Sequence, residues 1–421
     1  MRQFVTFCLK FLNYVGILIG FTSLRVDYST QKVVKSKPAN YYVVFANVTM
    51  VALLPCAHTV SINYITASFN NNLLAFTDSV NLFICYIVIV FSVVSRHRRE
   101  NIYIEISDEV RKLDLTFFNK FTLNSGIEKR ADWILLIKIF TLSLVVHVPI
   151  YGVFQQAIRV DANVIMLAVY SSIMKGILHG VMFLFFFMLW LVRTRIWRLN
   201  AHLNDLLHRQ LRLHGSTNVN LAYSSDALLA AEELREMARV HARLIAMLQR
   251  LNAAYRWQVI AVQLTYLISN ISYGYYRVAT LDDSIYQHQT MPSLISSFVA
   301  STVVFLDINL LYWAADATTS ACQHTASLLR NFQVLSFMDA AFEQQCETFA
   351  LQLKQQNMHI NIAGMFNLNR QTALALWAFC ARHILILVQF DYEARNHGNR
   401  SSGVLEHVSR LLQFGEIWGE E

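Results

Sequence analysis

Apolar residues fall in seven long runs, about Tyr41 to Tyr64, Leu73 to Val94, Trp133 to Phe154, Val164 to Val192, Tyr255 to Val278, Met291 to Trp313 and Leu368 to Phe390. A helix rises 1.5 Å per residue, so roughly 20 apolar residues cross the hydrocarbon core of a bilayer. The pattern therefore predicts an all-α polytopic membrane protein with seven transmembrane helices. A shorter run, Phe4 to Phe21, is interrupted by Lys10 and is followed by no small-residue cleavage site. It reads as an interfacial helix on the inner leaflet rather than a signal peptide.

Two of the polar connections keep helical periodicity. Leu199, Leu203, Leu206, Leu207 and Leu211 continue the fourth run. Leu234, Met237, Leu244, Leu248 and Leu251 lead into the fifth, with a break at His214 to Asn220. Ser224 to Asp226 offers an N-cap to the second of these helices. Between Ala326 and Leu353 the stripe Leu328, Leu329, Phe332, Leu335, Met338, Phe342 and Phe349 repeats the device. These stripes predict helical extensions that pack with one another below the membrane.

Composition agrees with a membrane protein: 55% of residues are hydrophobic and only 15% are charged. The net charge of +7 does not point to nucleic acid, because the basic residues sit in short clusters beside apolar runs. Arg2, Lys10, Arg25, Lys32, Lys35 and Lys37 precede the first run, whereas Thr66 to Asn72 has no basic residue. Arg96, Arg98 and Arg99 follow the second run, and Arg193, Arg195 and Arg198 follow the fourth. The connection Ala279 to Thr290 has neither lysine nor arginine. The positive-inside rule then places the N-terminus in the cytoplasm and the C-terminus outside. That orientation opposes a G-protein-coupled receptor, and no Asp-Arg-Tyr or Asn-Pro-x-x-Tyr supports one. No internal repeat of several helices suggests a transporter.

Several residues carry candidate chemistry. Lys138 and Asp307 each lie about 8 to 10 Å inside their helices by helical rise, and opposite charges at that depth are candidates for a structural intramembrane pair. No enzyme signature is present. His202, His208 and His214 are six apart, which is not the spacing that puts metal ligands on one helix face, and no metal or cofactor is expected. Cys56, Cys85 and Cys380 lie within apolar runs and Cys8, Cys322 and Cys346 on the inner side, so disulfides are not expected.

The last run ends Ala381 to Phe390, A-R-H-I-L-I-L-V-Q-F. This resembles the signature closing the final membrane helix of insect gustatory receptors: Thr-Tyr, five hydrophobic residues, then Gln-Phe. Ile384 to Val388 supply the five, Gln389 and Phe390 the ending, and Arg382 and His383 stand where Thr-Tyr is usual. The preceding G-M-F-N-L-N-R, Gly364 to Arg370, also resembles the start of that helix, so the likeness covers a contiguous block. It implies a divergent, bitter-type member of the insect chemoreceptor superfamily.

That resemblance implies a gustatory receptor acting as a ligand-gated, non-selective cation channel in the plasma membrane. Its implied partners are a small-molecule tastant, the lipid bilayer, permeant cations and other receptor copies in a homo- or hetero-tetramer. Gln389 and Phe390, with Val388 and Ile386, would line the gate. A pocket opening outward among the second to sixth helices would be built from Asp78, His147, Tyr151, Gln155, Tyr170, Asn270, Tyr273 and Tyr276. Sugar-sensing members carry an acidic residue directly after Thr-Tyr, where this chain has Ile384, which favours a bitter or aversive compound. The implied organisation is a cytoplasmic segment at 1–40, six helices with pocket and extensions at 41–313, and a cytosolic anchor at 314–367. The pore helix at 368–390 and an extracellular tail at 391–421 follow, the tail bearing an Asn399 glycosylation sequon. The alternative is a non-conducting subunit that modifies partner receptors, or a seven-helix receptor or transporter of another family.

Overall fold

In a computed structural model of the protein, the apolar periodicity runs on as single helices well past the length of a bilayer span. The structure describes residues 2–27, 32–68, 72–120, 125–156, 162–214, 222–280, 291–333, 340–356 and 358–396. In order these are α1 (Arg2–Leu18), β1 (Leu24–Asp27), β2 (Lys32–Lys35), α2 (Lys37–Ser68), α3 (Asn72–Val94), α4 (Arg96–Thr116) and α5 (Ser125–Gln156). Then come α6 (Ala162–His214), α7 (Ala222–Thr280), α8 (Met291–Gln333), α9 (Ala340–Gln355), β3 (Asn361–Ile362), β4 (Phe366–Asn367) and α10 (Arg370–Asn396). The 53 residues of α6 span about 80 Å at 1.5 Å each, more than twice the thickness of a hydrocarbon core.

Among the described residues, six helices are long and apolar enough to cross a membrane: α2, α3, α5, α6, α8 and α10. The expected fifth span falls on α7, whose apolar half is diluted by Gln258, Gln263 and Asn270. Gln258 and Gln263 are buried between helices, so these amides face the bundle rather than lipid. Hydroxyls in the apolar layer bond back to their own helix, as Ser79 Oγ does to Ala75 O at 2.7 Å and Ser172 Oγ to Ala168 O at 2.6 Å. Such bonds satisfy groups for which hydrocarbon offers no partner.

At the polar ends of α6, α7 and α8 a second packed bundle forms. Leu199, Leu203, Leu206, Leu207, Leu234, Met237, Leu244, Leu248 and Leu251 are buried, and Phe342, Cys346, Phe349 and Leu353 of α9 pack on α7. Leu211, expected in the stripe, is instead exposed. Leu335 and Met338 lie outside the described residues. The basic run after the second apolar segment is itself a helix, α4. It turns Tyr103, Ile106, Val110 and Leu113 inward at spacings of three and four.

A short hairpin delivers the chain to α10. Ala363 and Gly364 both take left-handed φ values, 54° and 78°, and the Gly364 N–H donates to Asn361 Oδ1 at 2.6 Å. Asn369 then caps α10, accepting the Thr372 N–H on its Oδ1 at 2.9 Å. The G-M-F-N-L-N-R block is thus a turn and a helix cap, which sets where α10 begins.

His241 of α7 is fully buried beside Phe349, ring centroids 5.7 Å apart. Burial pushes its pKa down from 6.5 to about 4, with Gln356 pulling weakly the other way. The unfolded chain takes up this proton first, so stability is full above pH 6.5 and is lost as pH falls toward 4. The contribution is about 3 kcal/mol. Thermal unfolding followed between these pH values should fall steeply in the wild type and less steeply in His241→Leu; parallel curves would contradict the assignment.

Candidate functional site

Four helices meet in a network built around one carboxylate. Asp307 of α8 accepts Lys138 Nζ of α5 on Oδ1 at 2.6 Å, and Thr141 Oγ1 reaches the same oxygen at 3.0 Å. Lys138 also donates to the Asp307 carbonyl at 3.0 Å. On the other side His179 Nδ1 of α6 lies 3.2 Å from Oδ2 and 2.8 Å from the hydroxyl of Tyr266 on α7. A proton on Nδ1 is the arrangement that suits a neighbouring carboxylate, shared between it and the tyrosine oxygen. The side chains of Lys138 and Asp307 are 1% and 2% exposed, so neither charge has bulk water to fall back on. Each is instead met by several partners, as a buried ion pair requires.

A second buried cation lies toward the polar bundle. Arg193 of α6 stacks against three indoles, its guanidinium carbon 4.5, 4.1 and 4.7 Å from the ring centres of Trp190, Trp197 and Trp313. The spacing of Trp190, Arg193 and Trp197 already places them on one helix face.

The residues expected to form a ligand pocket are dispersed. Tyr170 is buried, its hydroxyl 3.2 Å from His58 Nδ1, and His58 also lies against Tyr86. Tyr273 accepts from Lys175 Nζ at 3.4 Å, and the half-buried Asn270 donates to the Tyr266 carbonyl at 2.7 Å. Tyr170 meets α2 and α3 through His58 and Tyr86, Tyr273 meets α6, and Asn270 faces α8 and α10. His147 and Tyr151 instead stand exposed on α5, and His147 Nδ1 is engaged by its own helix at Ser143 O, 2.7 Å. The side chains of Asp78, Gln155 and Tyr276, and all of Asn399, lie outside what the structure describes. A cavity of about 20 Å³ opens between α7, α8 and α10, lined by Gln263, Tyr266, Asn270, Tyr312, Trp377 and Cys380 among others. Tyr266 therefore belongs both to this cavity and to the ionic network, a role its place in an aromatic-rich run did not signal.

On α10, Gln389 and Phe390 are exposed while Ile386 and Val388 are half-buried. The contact that seats this helix is at Gly274 of α7, where even a Cβ would overlap the Ile384 side chain. His383 stacks on Phe379 one turn earlier, ring centroids 3.9 Å apart, and its Nδ1 lies 2.9 Å from Phe379 O of the same helix.

The sequence model of the 7tm Chemosensory receptor family matches residues 9–394. The chain belongs to that family. This 7tm chemosensory receptor is 22% identical over 412 residues to the Drosophila melanogaster protein described as "Putative gustatory receptor 36b", covering 93% of this chain and 100% of that one. It is also 24% identical over 163 residues to the Drosophila melanogaster "Gustatory receptor for bitter taste 22e", covering 38% of this chain and 41% of the relative. Its fold is similar to that of the insect olfactory receptor OR5 from Machilis hrabei. The TM-score is 0.62 with 11% identity, over 91% of this chain and 97% of the other. That receptor has also been solved in complex with eugenol, and the likeness there has a TM-score of 0.56 with 12% identity, over 92% of this chain and 99% of the other. The chemosensory receptor is accordingly a membrane receptor rather than an enzyme.

Removing one partner of the Asp307 network strands the other charge, at a cost of about 3 to 5 kcal/mol. Lys138→Met and Asp307→Leu should each lower the thermal midpoint of the purified receptor, and the double variant should recover part of the loss. A double variant worse than both singles would contradict the pairing.

Proposed function

We propose that this receptor is a gustatory, ligand-gated, non-selective cation channel of the plasma membrane, assembled as a tetramer around α10. Seven spans are counted, with the interior half of α7 as one of them, the N-terminus in the cytoplasm and the C-terminus outside. The observation that carries this reading is the exposure of α10. Only 11% of the residues in its apolar window are buried within the subunit, the lowest share of the six spans, below 17% for α2 and 72% for α6. A helix so uncovered needs lipid or other subunits on its open faces, and its end presents an amide and a phenyl ring at Gln389 and Phe390.

Four such ends brought together form a ring of aromatic side chains that closes a pore by dewetting, and amides that replace part of an ion's hydration shell. A homotetramer has closed symmetry, so each α10 meets the same neighbours. The tastant would act from the interior of α2, α3, α6 and α7, near Tyr170 and Tyr273, with Asn270 on the opposite side of α7. Asn270 borders the cavity against α10, so a ligand there is one residue layer from the pore helix. The bitter assignment is supported by the absence of an acid at Ile384 and by the bitter-taste relative.

Gln389→Ala should change the reversal potential or the single-channel conductance in patch-clamp recordings; currents identical to wild type would remove Gln389 from the gate. Calcium imaging of cells expressing the receptor alone should show responses to bitter compounds and none to sugars. A response to sugars alone would overturn the ligand class. Silence to every compound from a protein present at the surface would favour the non-conducting subunit.

A further inference from the structure

Where α4 packs on α6 and α7, behind the link from α1 to β1, lies a cavity of about 10 Å³, with Phe21, Arg96, Arg99, Glu100 and Tyr255 in its lining. Arg99 is 4% exposed and Tyr255 is 1% exposed. One guanidinium nitrogen is used, Arg99 Nη2 donating to the Ser92 carbonyl at 2.6 Å. Its Nε and Nη1, and the Tyr255 hydroxyl, have no hydrogen-bond partner among the described residues.

The nearby carboxylate does not answer them, because Glu100 is committed elsewhere. Its Oε1 accepts the Ser23 N–H at 2.6 Å and its Oε2 the Ser23 hydroxyl at 2.8 Å. Arg96 and Lys35 each stand 3.7 Å from it. Three cations, Lys35, Arg96 and Arg99, thus face one anion, leaving two positive charges in excess. The guanidinium of Arg193 also has unpartnered nitrogens, but three indole faces surround it at 4.1 to 4.7 Å. Arg99 has a single phenyl ring, Phe21, at 5.7 Å.

We propose that this cavity is a binding site for a monatomic anion of the chloride type, held by Arg99 Nε and Nη1 and the Tyr255 hydroxyl. Its volume is that of roughly one water-sized particle, which excludes phosphate and carboxylates. A water accepts two of the three donors but brings no charge, and buried charged donors are costly to leave uncompensated. A halide accepts all three and offsets one of the two excess charges. The site ties α4 to α7 and does not depend on whether the receptor conducts.

The full-length receptor in detergent, held at one ionic strength, is unfolded thermally in sodium chloride and in sodium gluconate. Binding to the folded state alone stabilises by mass action, so at about 0.15 M chloride the midpoint should stand roughly 3 °C or more above that in gluconate. Tyr255→Phe deletes one donor without stranding a charge, and should raise the chloride concentration needed for half the shift by about tenfold. Arg99→Met should abolish the shift. Equal midpoints in chloride and gluconate would mean that only water occupies the cavity and would overturn the proposal. An unchanged chloride titration in Tyr255→Phe would do the same, placing any chloride effect elsewhere, and it decides the matter even if Arg99→Met does not fold.

Discussion

Asp307 places a carboxylate at 2% exposure in the apolar heart of the bundle, and the surrounding helices are arranged so that it is never without partners. Lys138 and Thr141 come from α5 and His179 from α6, and Tyr266 of α7 joins them through His179. Dispersion between apolar helices is nearly indifferent to rotation or sliding, since lipid is as good a neighbour as leucine. A carboxylate with two oxygens and fixed partners is not indifferent. It therefore sets the register of four helices that apolar packing alone would leave free, and α3 and α10 then pack on α7 as already placed.

The same geometry links the interior to α10. Tyr266 bonds to His179 in the network and also lines the cavity against α10, one turn from Asn270. At Gly274 the backbone of α7 lies against the Ile384 side chain, which would have to shift to admit even a Cβ. α7 and α10 thus meet by direct contact rather than through a loop, as the proposed coupling of a pocket to a pore helix would require.

Much of this was legible in the chain. Seven apolar runs, the leucine stripes from Leu199 to Leu251 and the intramembrane positions of Lys138 and Asp307 can be read from periodicity, because a helix in lipid must satisfy its own backbone. The block from Gly364 to Phe390 carries the family likeness. What the sequence did not disclose depends on long-range pairing. His179 and Tyr266 are separated by 87 residues, and neither shows a local sign of sharing a proton with the other. The helix α4 was concealed by its basic composition, since Arg96 to Arg99 read as charge that orients a membrane span, although Glu100 and Ser23 fix it in place. His147 and Tyr151 looked like pocket residues by depth and chemistry, but rotation about α5 turns them outward, and depth says nothing of rotation.

The central claim is that the open faces of α10 are covered by other copies of this chain around a pore ending at Gln389 and Phe390. A structure of the receptor reconstituted in lipid tests this most directly. The account predicts four subunits, with four copies of α10 about one axis and the Phe390 rings turned toward it. A monomer or dimer with α10 facing lipid along its length would contradict it.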